Sequence, residues 1–492
     1  MKKVLCMLLC LVMLLGVLVS CGGEEPKETE GTTENGSSDV EDVTTPGGEE
    51  TKGEETETPL KEIVLEDFSK DGTPRDLFMM VRENRHHYLW VEKDTTNKVE
   101  HETYVRNRTI EENFGIKINN VEIGGGSSSQ QWVTTLSSGA PYDLGVPDFW
   151  WLLEQQGLFM DLSTRKELDF NQPYWYDGWN DNVTINGRIY MVAGDATLEI
   201  LENIEIVFFN KDMTDTLGLD MYKVVMDGEW TIDKMLTINK SLAMNLDDND
   251  EENNVYGSMY DTHSLQAQLY AADLKLTNIT DDGRISLIAE SRAKNVDIQE
   301  KVKELIHSNT NKYWGSTARS DVGKKATMLN TGKAAFYATA MYCGSTIKNQ
   351  TTVCNYGVIP MPKFDEEGDY ISTSYGVSLF GIPKAATDPH FSAVIMDAMN
   401  YYSNDTIVKG FFDSTMKAQV ADSAYDARMM DIARNNLYFD FAWILQQGGT
   451  MTVHSAFNSA TVNADKDLAS LLAPAMEVST EGLAKLIEFY NQ

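Results

Sequence analysis

Hydrophobic positions along the chain follow two patterns that predict different elements. Short, continuous apolar runs predict buried strands, whereas apolar residues spaced three or four apart predict amphipathic helices. The runs that predict strands lie at residues 77–81, 114–118, 142–146, 189–192 and 204–209. Because predicted strands and helices alternate, we expect an α/β fold in which helices cover parallel-rich sheets.

Four helices have boundaries that the sequence marks. One runs from about Glu102 to Asn113, and a short one from Leu152 stops at Gly157. Thr231 is a good N-cap for a third helix, and Asp388 followed by proline opens a fourth. The apolar positions of the fourth helix should form one buried face, made of Phe391, Val394, Ile395, Ala398, Met399 and Tyr402.

The N-terminus has the pattern of a secretory signal over residues 1–20. Two lysines precede an apolar stretch from Val4 to Val19, which is too short and wrongly flanked for a membrane-spanning helix. Leu18-Val19-Ser20-Cys21 resembles the lipobox of bacterial lipoproteins. The resemblance implies cleavage before Cys21, lipid on its thiol and attachment to the outer face of the cell membrane. The alternative is an ordinary cleaved signal with an incidental cysteine.

Residues 21–61 have the composition of a disordered linker. Between Gly22 and Leu60 there are thirteen acidic residues, two lysines and no aromatic residue, a net charge of −11. Such a stretch has too little apolar surface to fold. As a flexible coil of about forty residues it reaches roughly 35 Å, and charge repulsion extends it further. We interpret it as a tether that holds residues 62–492 away from the membrane.

The net charge of −34 argues against some partners. Nucleic acids and anionic lipid surfaces both need basic protein surface, so neither is an expected partner of the folded body. The body is long enough for two lobes or two domains. It contains two cysteines, Cys343 and Cys354, which could form a disulfide outside the cytoplasm or remain free thiols.

Motifs of catalysis and of metal binding are weak or missing in the sequence. It contains no metalloprotease, nucleophile-elbow or phosphate-loop motif, and we predict no enzyme activity, cofactor or metal. The adjacent His86 and His87 fit a surface pair better than a metal site. The acidic stretch 247–254 could bind calcium, but its spacing does not match an EF-hand and a solvated loop fits better.

Aromatic residues near predicted strand ends are the stronger signal. Trp150 and Trp151 follow Asp148 at the end of one predicted strand. Aromatic faces stack on the C–H faces of sugar rings, and neighbouring carboxylates and amides bind the hydroxyls. Any one such residue is more often part of the core than a ligand contact. Ligands of open α/β sheets nevertheless bind beyond the carboxyl ends of strands, which favours a binding role.

Taken in order along the chain, several segments resemble extracellular solute-binding proteins of ABC importers, in the carbohydrate-binding family that includes the maltose-binding protein. Five stretches resemble the family's "PDI … GLLxDL", "LxYNKD", "P-x-TWDE", "GKAAM" and "GVxPLP … G" segments, the third without its proline. They are Tyr142-Asp143-Leu144 with Asp148 and residues 157–162, residues 204–212, Gly228-Glu229-Trp230-Thr231, residues 331–336, and residues 356–362 with Gly376.

The resemblance implies the type II periplasmic-binding fold, with two lobes and the ligand in the cleft between them. It assigns residues 72–195 and 340–380 approximately to lobe 1, and residues 205–335 and 383–492 to lobe 2. It also implies hinge crossings near residues 193–204, 338–342 and 375–382.

The resemblance further implies ligand contacts at Asp148, Trp150, Asn203 and Tyr342. Asn203 stands near the family's hinge acid, but it is an amide here. Position and chemistry add Trp90, Trp151, Tyr375 and Trp443. The expected ligand is a sugar, although peptides and other polar solutes remain open. The protein is expected to be a monomer, and its implied partners are the permease subunits.

Two alternatives remain open from the sequence. A cell-surface glycoside hydrolase would use two facing carboxylates, which counting acidic residues does not exclude. A sensory or adhesive lipoprotein would keep the fold but have no permease.

Overall fold

A computed structural model describes residues 60–83, 88–124, 129–149, 156–247, 253–280, 282–317, 319–411, 424–446 and 451–491. Contacts divide the chain between Thr56 and Glu57, and all described residues belong to the second part. Within the described ranges, no helix combines the length and apolar composition needed to span a bilayer.

The described helices differ widely in length. They are α1 (Lys98–Phe114), α2 (Ser129–Ser137), α3 (Asp177–Val183), α4 (Glu199–Glu202), α5 (Lys211–Asp215), α6 (Met221–Met226), α7 (Ile232–Leu242), α8 (Thr262–Ala271), α9 (Lys294–His307), α10 (Val322–Asn330), α11 (Cys343–Lys348), α12 (Pro389–Ser403), α13 (Ala424–Asn435), α14 (Phe441–Ile444), α15 (Val453–Val462) and α16 (Leu468–Tyr490).

The described strands form two main sheets and one hairpin. They are β1 (Arg75–Arg82), β2 (Ile116–Ile123), β3 (Leu144–Val146), β4 (Glu205–Asn210), β5 (Tyr256–Tyr260), β6 (Thr277–Ile279), β7 (Ile285–Leu287), β8 (Asn311–Tyr313), β9 (Ala334–Ala340) and β10 (Tyr356–Ile359). The hairpin pairs β6 with β7.

The first sheet, the centre of lobe 1, has the order β2-β1-β3 and is parallel throughout. Strand β1 lies in the middle, which is why its residues 77–81 are apolar and, apart from Phe78, fully buried. Helix α12 packs on α1, and the buried Arg106 of α1 donates to Ser403 Oγ at the end of α12, 3.0 Å away.

The second sheet, the centre of lobe 2, has the order β10-β4-β9-β5-β8 and is mixed. Strand β4 is antiparallel to β9 and β10, whereas β5 is parallel to β8 and β9. The chain enters this lobe at the start of β4 and leaves it at the end of β9. Both points lie at the same end of the sheet, so these neighbouring strands run in opposite directions.

The helix starts predicted from capping residues are confirmed. Thr231 Oγ1 accepts from the backbone N–H of Lys234 at 3.2 Å, and helix α7 begins at the next residue. Asp388 Oδ1 accepts from the N–H of Phe391 at 3.2 Å, with proline at the first position of α12. The predicted apolar face of α12 is largely buried, with Val394 and Tyr402 half-buried.

Two expectations about elements need correction, and a third falls largely outside the described residues. Residues 189–192 form no strand in a ladder and make only one bridge, from Val192 to Phe380, so their apolar character reflects burial and not strand pairing. Helix α12 packs in lobe 1, and β10 pairs in lobe 2, opposite to the lobe boundaries predicted from sequence. Most of the predicted helix 152–157 lies outside the described residues, and Gln156–Leu158 is a single 3-10 turn.

Candidate ligand-binding cleft

Three chain segments cross between the lobes and are hydrogen-bonded to one another. The Tyr375 N–H donates to the Asn203 carbonyl at 3.2 Å, and the Tyr342 N–H donates to the Glu202 carbonyl at 2.9 Å. Next to them, the Met341 N–H donates to the Ile204 carbonyl at 2.8 Å. The backbone thereby brings Asn203, Tyr342 and Tyr375 together, and we call this meeting point the floor of the candidate cleft.

Lobe 1 contributes an ion pair to this floor. Arg82 is the last residue of β1 and Asp148 follows β3, so both lie at the carboxyl ends of parallel strands. The Arg82 guanidinium donates to Asp148, whose residue is only 6% exposed. The arginine balances the aspartate charge and fixes its orientation, which prepares the carboxylate to accept further hydrogen bonds.

The crossing segments themselves pack very closely. Asn203 is buried and its side-chain amide donates to the Glu199 carbonyl at 2.8 Å. A Cβ atom on Gly376 would lie 2.7 Å from Asn203 Nδ2, so any side chain at this position must displace the Asn203 amide. Ser378 Oγ donates to the carboxylate of the buried Glu199, which ties the third crossing to α4.

Lobe 2 contributes a histidine that contacts Tyr375. His263 lies in the first turn of α8, where Asp261 caps the helix through a capping box. The His263 and Tyr375 rings are stacked with centroids 3.4 Å apart and an interplanar angle of 16°. Burial, with the nearby Arg319 and Lys325 charges, lowers the pKa of His263 to about 4, so the ring is neutral at physiological pH.

A group of buried charges lies behind this contact. Lys325 and Asp261 are fully buried, with Lys325 Nζ 3.8 Å from Asp261 Oδ2. Glu205 is also fully buried, and neither of its carboxylate oxygens has a hydrogen-bond partner among the described residues. Burial, with the nearby Asp261, raises the pKa of Glu205 well above its ordinary value, and Lys325 offsets this only in part.

Tyr342 lies at the second crossing, just before α11. The Arg319 guanidinium is 4.6 Å from the centroid of its ring, a cation–π distance. The next residue, Cys343, is a buried thiol outside any disulfide, and burial raises its pKa to about 12; Cys354 forms no disulfide either. Of the two alternatives for these cysteines, the structure shows the one without a disulfide.

Trp443 lies deeper, in an aromatic cluster that joins the lobes. Its ring centroid is 5.8 Å from that of Tyr375, 5.4 Å from Tyr270 of lobe 2 and 6.1 Å from Phe149 of lobe 1. Trp443 itself has no exposed surface. We call these four residues the inter-lobe aromatic cluster.

The predicted site residues are therefore only partly brought together. Asp148, Asn203, Tyr342, Tyr375 and Trp443 lie at or beside the crossings. Trp90 lies in lobe 1 beside α1, since the carbonyl of its neighbour Leu89 accepts from the buried Arg106 at 2.8 Å. Several other predicted positions lie outside the described residues, namely Cys21, His86, His87, Trp150, Trp151 and residues 248–252.

Sequence reasoning missed Arg82, His263 and Glu205. Arg82 had a usable signal, because a cation at the carboxyl end of a buried strand is unusual. His263 belongs to no motif, and Glu205 lies in the stretch 204–212 at a position to which the resemblance gives no role. The neighbours of both residues are brought close only by the fold. Among the described residues, no three His, Cys, Asp or Glu side chains are placed to hold a metal ion.

The family of the chain follows from a match to one family model. The model of the bacterial extracellular solute-binding proteins matches residues 104–406, more than half of the chain. This chain is a bacterial extracellular solute-binding protein. Because this is a family of binding proteins, the protein is not an enzyme, and the hydrolase alternative is dropped. A search of curated protein sequences finds no match.

Solved structures of solute-binding proteins have a similar fold. A galacto-N-biose/lacto-N-biose I-binding protein of a Bifidobacterium longum ABC transporter, in complex with lacto-N-biose, has a TM-score of 0.56 at 14% identity, covering 85% of this chain and 98% of that one. A cyclo/maltodextrin-binding protein in complex with maltotetraose has a TM-score of 0.54 at 15% identity, covering 84% and 98%.

A third similar structure is an ABC substrate-binding protein from Listeria monocytogenes in complex with cycloalternan. Its TM-score is 0.52 at 13% identity, and the match covers 84% of this chain and 99% of that one. At these identities the similarity establishes the fold alone, which is the two-lobe periplasmic-binding fold predicted from the sequence.

Proposed function

We propose that this solute-binding protein captures a carbohydrate between its lobes and delivers it to the permease of an ABC importer. The observation that carries the proposal is the meeting of Asp148, Asn203 and Tyr375 at the crossings, where both lobes contribute. An aromatic face, an oriented carboxylate and an amide are the groups that recognise sugar rings and hydroxyls. The sugars bound by three proteins of similar fold add support.

Binding works through the equilibrium between open and closed lobes. A ligand that touches both lobes stabilises the closed form, because only that form makes both sets of contacts. Asp148 and Arg82 lie on lobe 1, whereas His263 lies on lobe 2 and stacks on Tyr375 at the crossing. Closure therefore brings acceptors and donors for hydroxyls to an aromatic surface.

The anchor and the partners belong to the same proposal. Lipid on Cys21 would hold the protein at the outer face of the cell membrane, and the acidic linker would let a monomeric body reach the permease. A Cys21→Ala variant should be released into the medium, and mass spectrometry of the natural N-terminus should show the lipid. An unlipidated, released natural protein would contradict this part.

A thermal-shift screen against a sugar panel tests the proposed ligand class. A sugar that binds the folded protein raises the melting temperature by mass action, and calorimetry then gives its affinity. Peptides and polyols on the same plate test the other solute classes. Shifts with peptides and none with sugars would overturn the carbohydrate assignment.

Uptake distinguishes import from the sensory or adhesive alternative. Deleting the gene should abolish uptake of the sugar that binds in the screen, and the wild-type gene should restore it. Normal uptake after deletion, with binding intact in the purified protein, would favour the alternative that has no permease.

A further inference from the structure

A groove on lobe 2, separate from the crossings, has the composition of a binding site. It has a volume of about 600 Å³ and lies against the edge strand β8. Its wall includes the aromatic residues Tyr256, Tyr313 and Trp314, and three lysines, Lys312, Lys324 and Lys333. A concave surface with aromatic walls and a few charged groups is the usual form of a small-ligand site.

The charge of the groove is opposite to that of the whole molecule. Three lysines and one acid, Asp321, line it, whereas the chain as a whole carries −34. An anion that approaches this protein is repelled by most of the surface and is attracted here. The groove therefore favours a ligand with a negative group.

Aromatic rings hold two of the lysines in place. Lys324 Nζ is 5.1 Å from the centroid of the Trp314 ring, and Lys312 Nζ is 5.8 Å from that of Tyr256. The cation–π contact of Lys324 keeps its ammonium group near the groove and still allows its N–H groups to donate to a ligand.

The wall of the groove is built on rigid parts of the lobe. The Trp314 N–H donates to the Tyr260 carbonyl at 2.8 Å, and the Ser316 carbonyl accepts from the Thr262 N–H at 3.0 Å. The buried Lys325 Nζ lies 5.6 Å from the Trp314 centroid and donates to the Thr317 carbonyl at 3.0 Å. Lys325 thus supports the wall from behind, while the lining lysines face the groove.

We propose that this groove is a second binding site, which takes the carboxylate of an acidic sugar such as a uronic acid. The lysine ammonium groups bind the carboxylate, and the flanking aromatic surfaces contact the sugar ring. Ammonium groups pair with carboxylates through charge-assisted hydrogen bonds, which are stronger than those to neutral hydroxyls. A neutral sugar lacks this contact, so the site discriminates by charge. The proposal does not depend on which ligand the cleft takes.

Calorimetry with a uronic acid trisaccharide, and with a neutral trisaccharide of the same linkage, tests the proposal. Replacing both lysines in Lys324→Ala/Lys333→Ala should weaken binding of the acidic sugar by about tenfold or more, as expected for lost hydrogen bonds to a charged group. The matched control is Lys409→Ala/Lys485→Ala, which removes the same charge from exposed positions outside the groove lining and should leave the affinity unchanged.

Two further measurements distinguish this groove from the cleft and from a simple anion site. Tyr375→Ala alters the cleft and should leave binding of the acidic sugar intact, whereas a loss there would place that sugar in the cleft and overturn the proposal. Inorganic phosphate should bind at least tenfold more weakly than the acidic sugar if the ring contributes. Equal binding of phosphate, equal binding of the neutral sugar, or equal loss in the control variant would each refute it.

Discussion

Tyr375 is the residue at which both lobes and a crossing segment meet. Its backbone is bonded to Asn203, its ring is stacked on His263 of lobe 2, and it reaches the inter-lobe aromatic cluster. The His263 ring therefore covers a face of Tyr375 in this structure. This placement makes Tyr375 the residue by which we test the cleft.

Tyr375→Ala should weaken binding of the sugar found in the screen by about 1–3 kcal/mol, which is the worth of a large aromatic contact. Tyr375→Phe keeps the ring and should retain most of the affinity. Calorimetry on both variants gives the comparison, with Tyr425→Ala as the control because Tyr425 is 60% exposed on α13. Unchanged affinity in Tyr375→Ala would remove this residue from the site.

Glu205 is a second residue whose environment predicts a measurable effect. The folded protein holds this carboxyl group without hydrogen-bond partners from the described residues, and burial raises its pKa well above the ordinary 4.5. The folded state therefore binds a proton more tightly than the unfolded state at this site. The free energy of unfolding should fall as the pH rises from the unfolded pKa to the folded one.

The isosteric variant Glu205→Gln has no proton to lose and should be free of this dependence. Its melting temperature should exceed that of the wild type by a margin that grows between pH 5 and pH 8. Glu481→Gln, an exposed position on α16, serves as the control and should follow the wild type at every pH. A margin that is constant with pH would show that Glu205 is charged throughout.

At the scale of elements, helix α7 depends on a local cap. Thr231 bonds the N–H of Lys234, and Thr231→Ala should lower the free energy of unfolding by about 1 kcal/mol. Thr231→Ser restores the hydroxyl and should recover most of the loss. Denaturant unfolding measures both, with the exposed Thr237→Ala in the same helix as the control, since removing a β-branched residue there should not destabilise it.

Local signals explain which elements the sequence could predict. The starts of α7 and α12 depend on residues within one helical turn, so Thr231 and Asp388 identify them correctly. Strands β1 and β4 were predictable because buried strands need apolar runs. Residues 189–192 were not, because an apolar run records burial but not whether a neighbouring strand pairs with it.

The candidate site was less predictable than the elements. The resemblance pointed to Asp148 and Asn203, because Asp148 lies within a short recognisable segment and Asn203 directly precedes another, and their role as ligand contacts stays a prediction. The stacking of His263 on Tyr375 could not be predicted, since the two residues are far apart in the chain and only the fold brings them together. The predicted lobe boundaries were wrong for the same reason. Strand β10 pairs in lobe 2 and helix α12 packs in lobe 1, and their positions in the sequence do not indicate this.

At the scale of the whole molecule, the crossings decide how the lobes can move. Gly376 lies so close to Asn203 that an added Cβ must displace the Asn203 side chain, which belongs to the candidate site. Gly376→Ala should therefore weaken sugar binding by about tenfold or more, while the folded protein keeps its two lobes.

Calorimetry and small-angle X-ray scattering check this together. The wild type should become more compact when the sugar is added, and Gly376→Ala should need more sugar for the same change. Gly323→Ala is the matched control, because a Cβ there meets no atom within 4 Å. A Gly376→Ala variant with wild-type affinity and compaction would show that the crossings accommodate the added Cβ without loss of binding.

The inter-lobe aromatic cluster should also make opening of the lobes detectable by tryptophan fluorescence. Trp443 is surrounded by Phe149, Tyr270 and Tyr375, which come from both halves and from the segment that connects them. When the halves separate, water reaches the indole and its fluorescence emission should move to longer wavelength. Movement of the lobes could then be followed in real time on the unlabelled protein, as the Trp443 part of the emission from nine tryptophans.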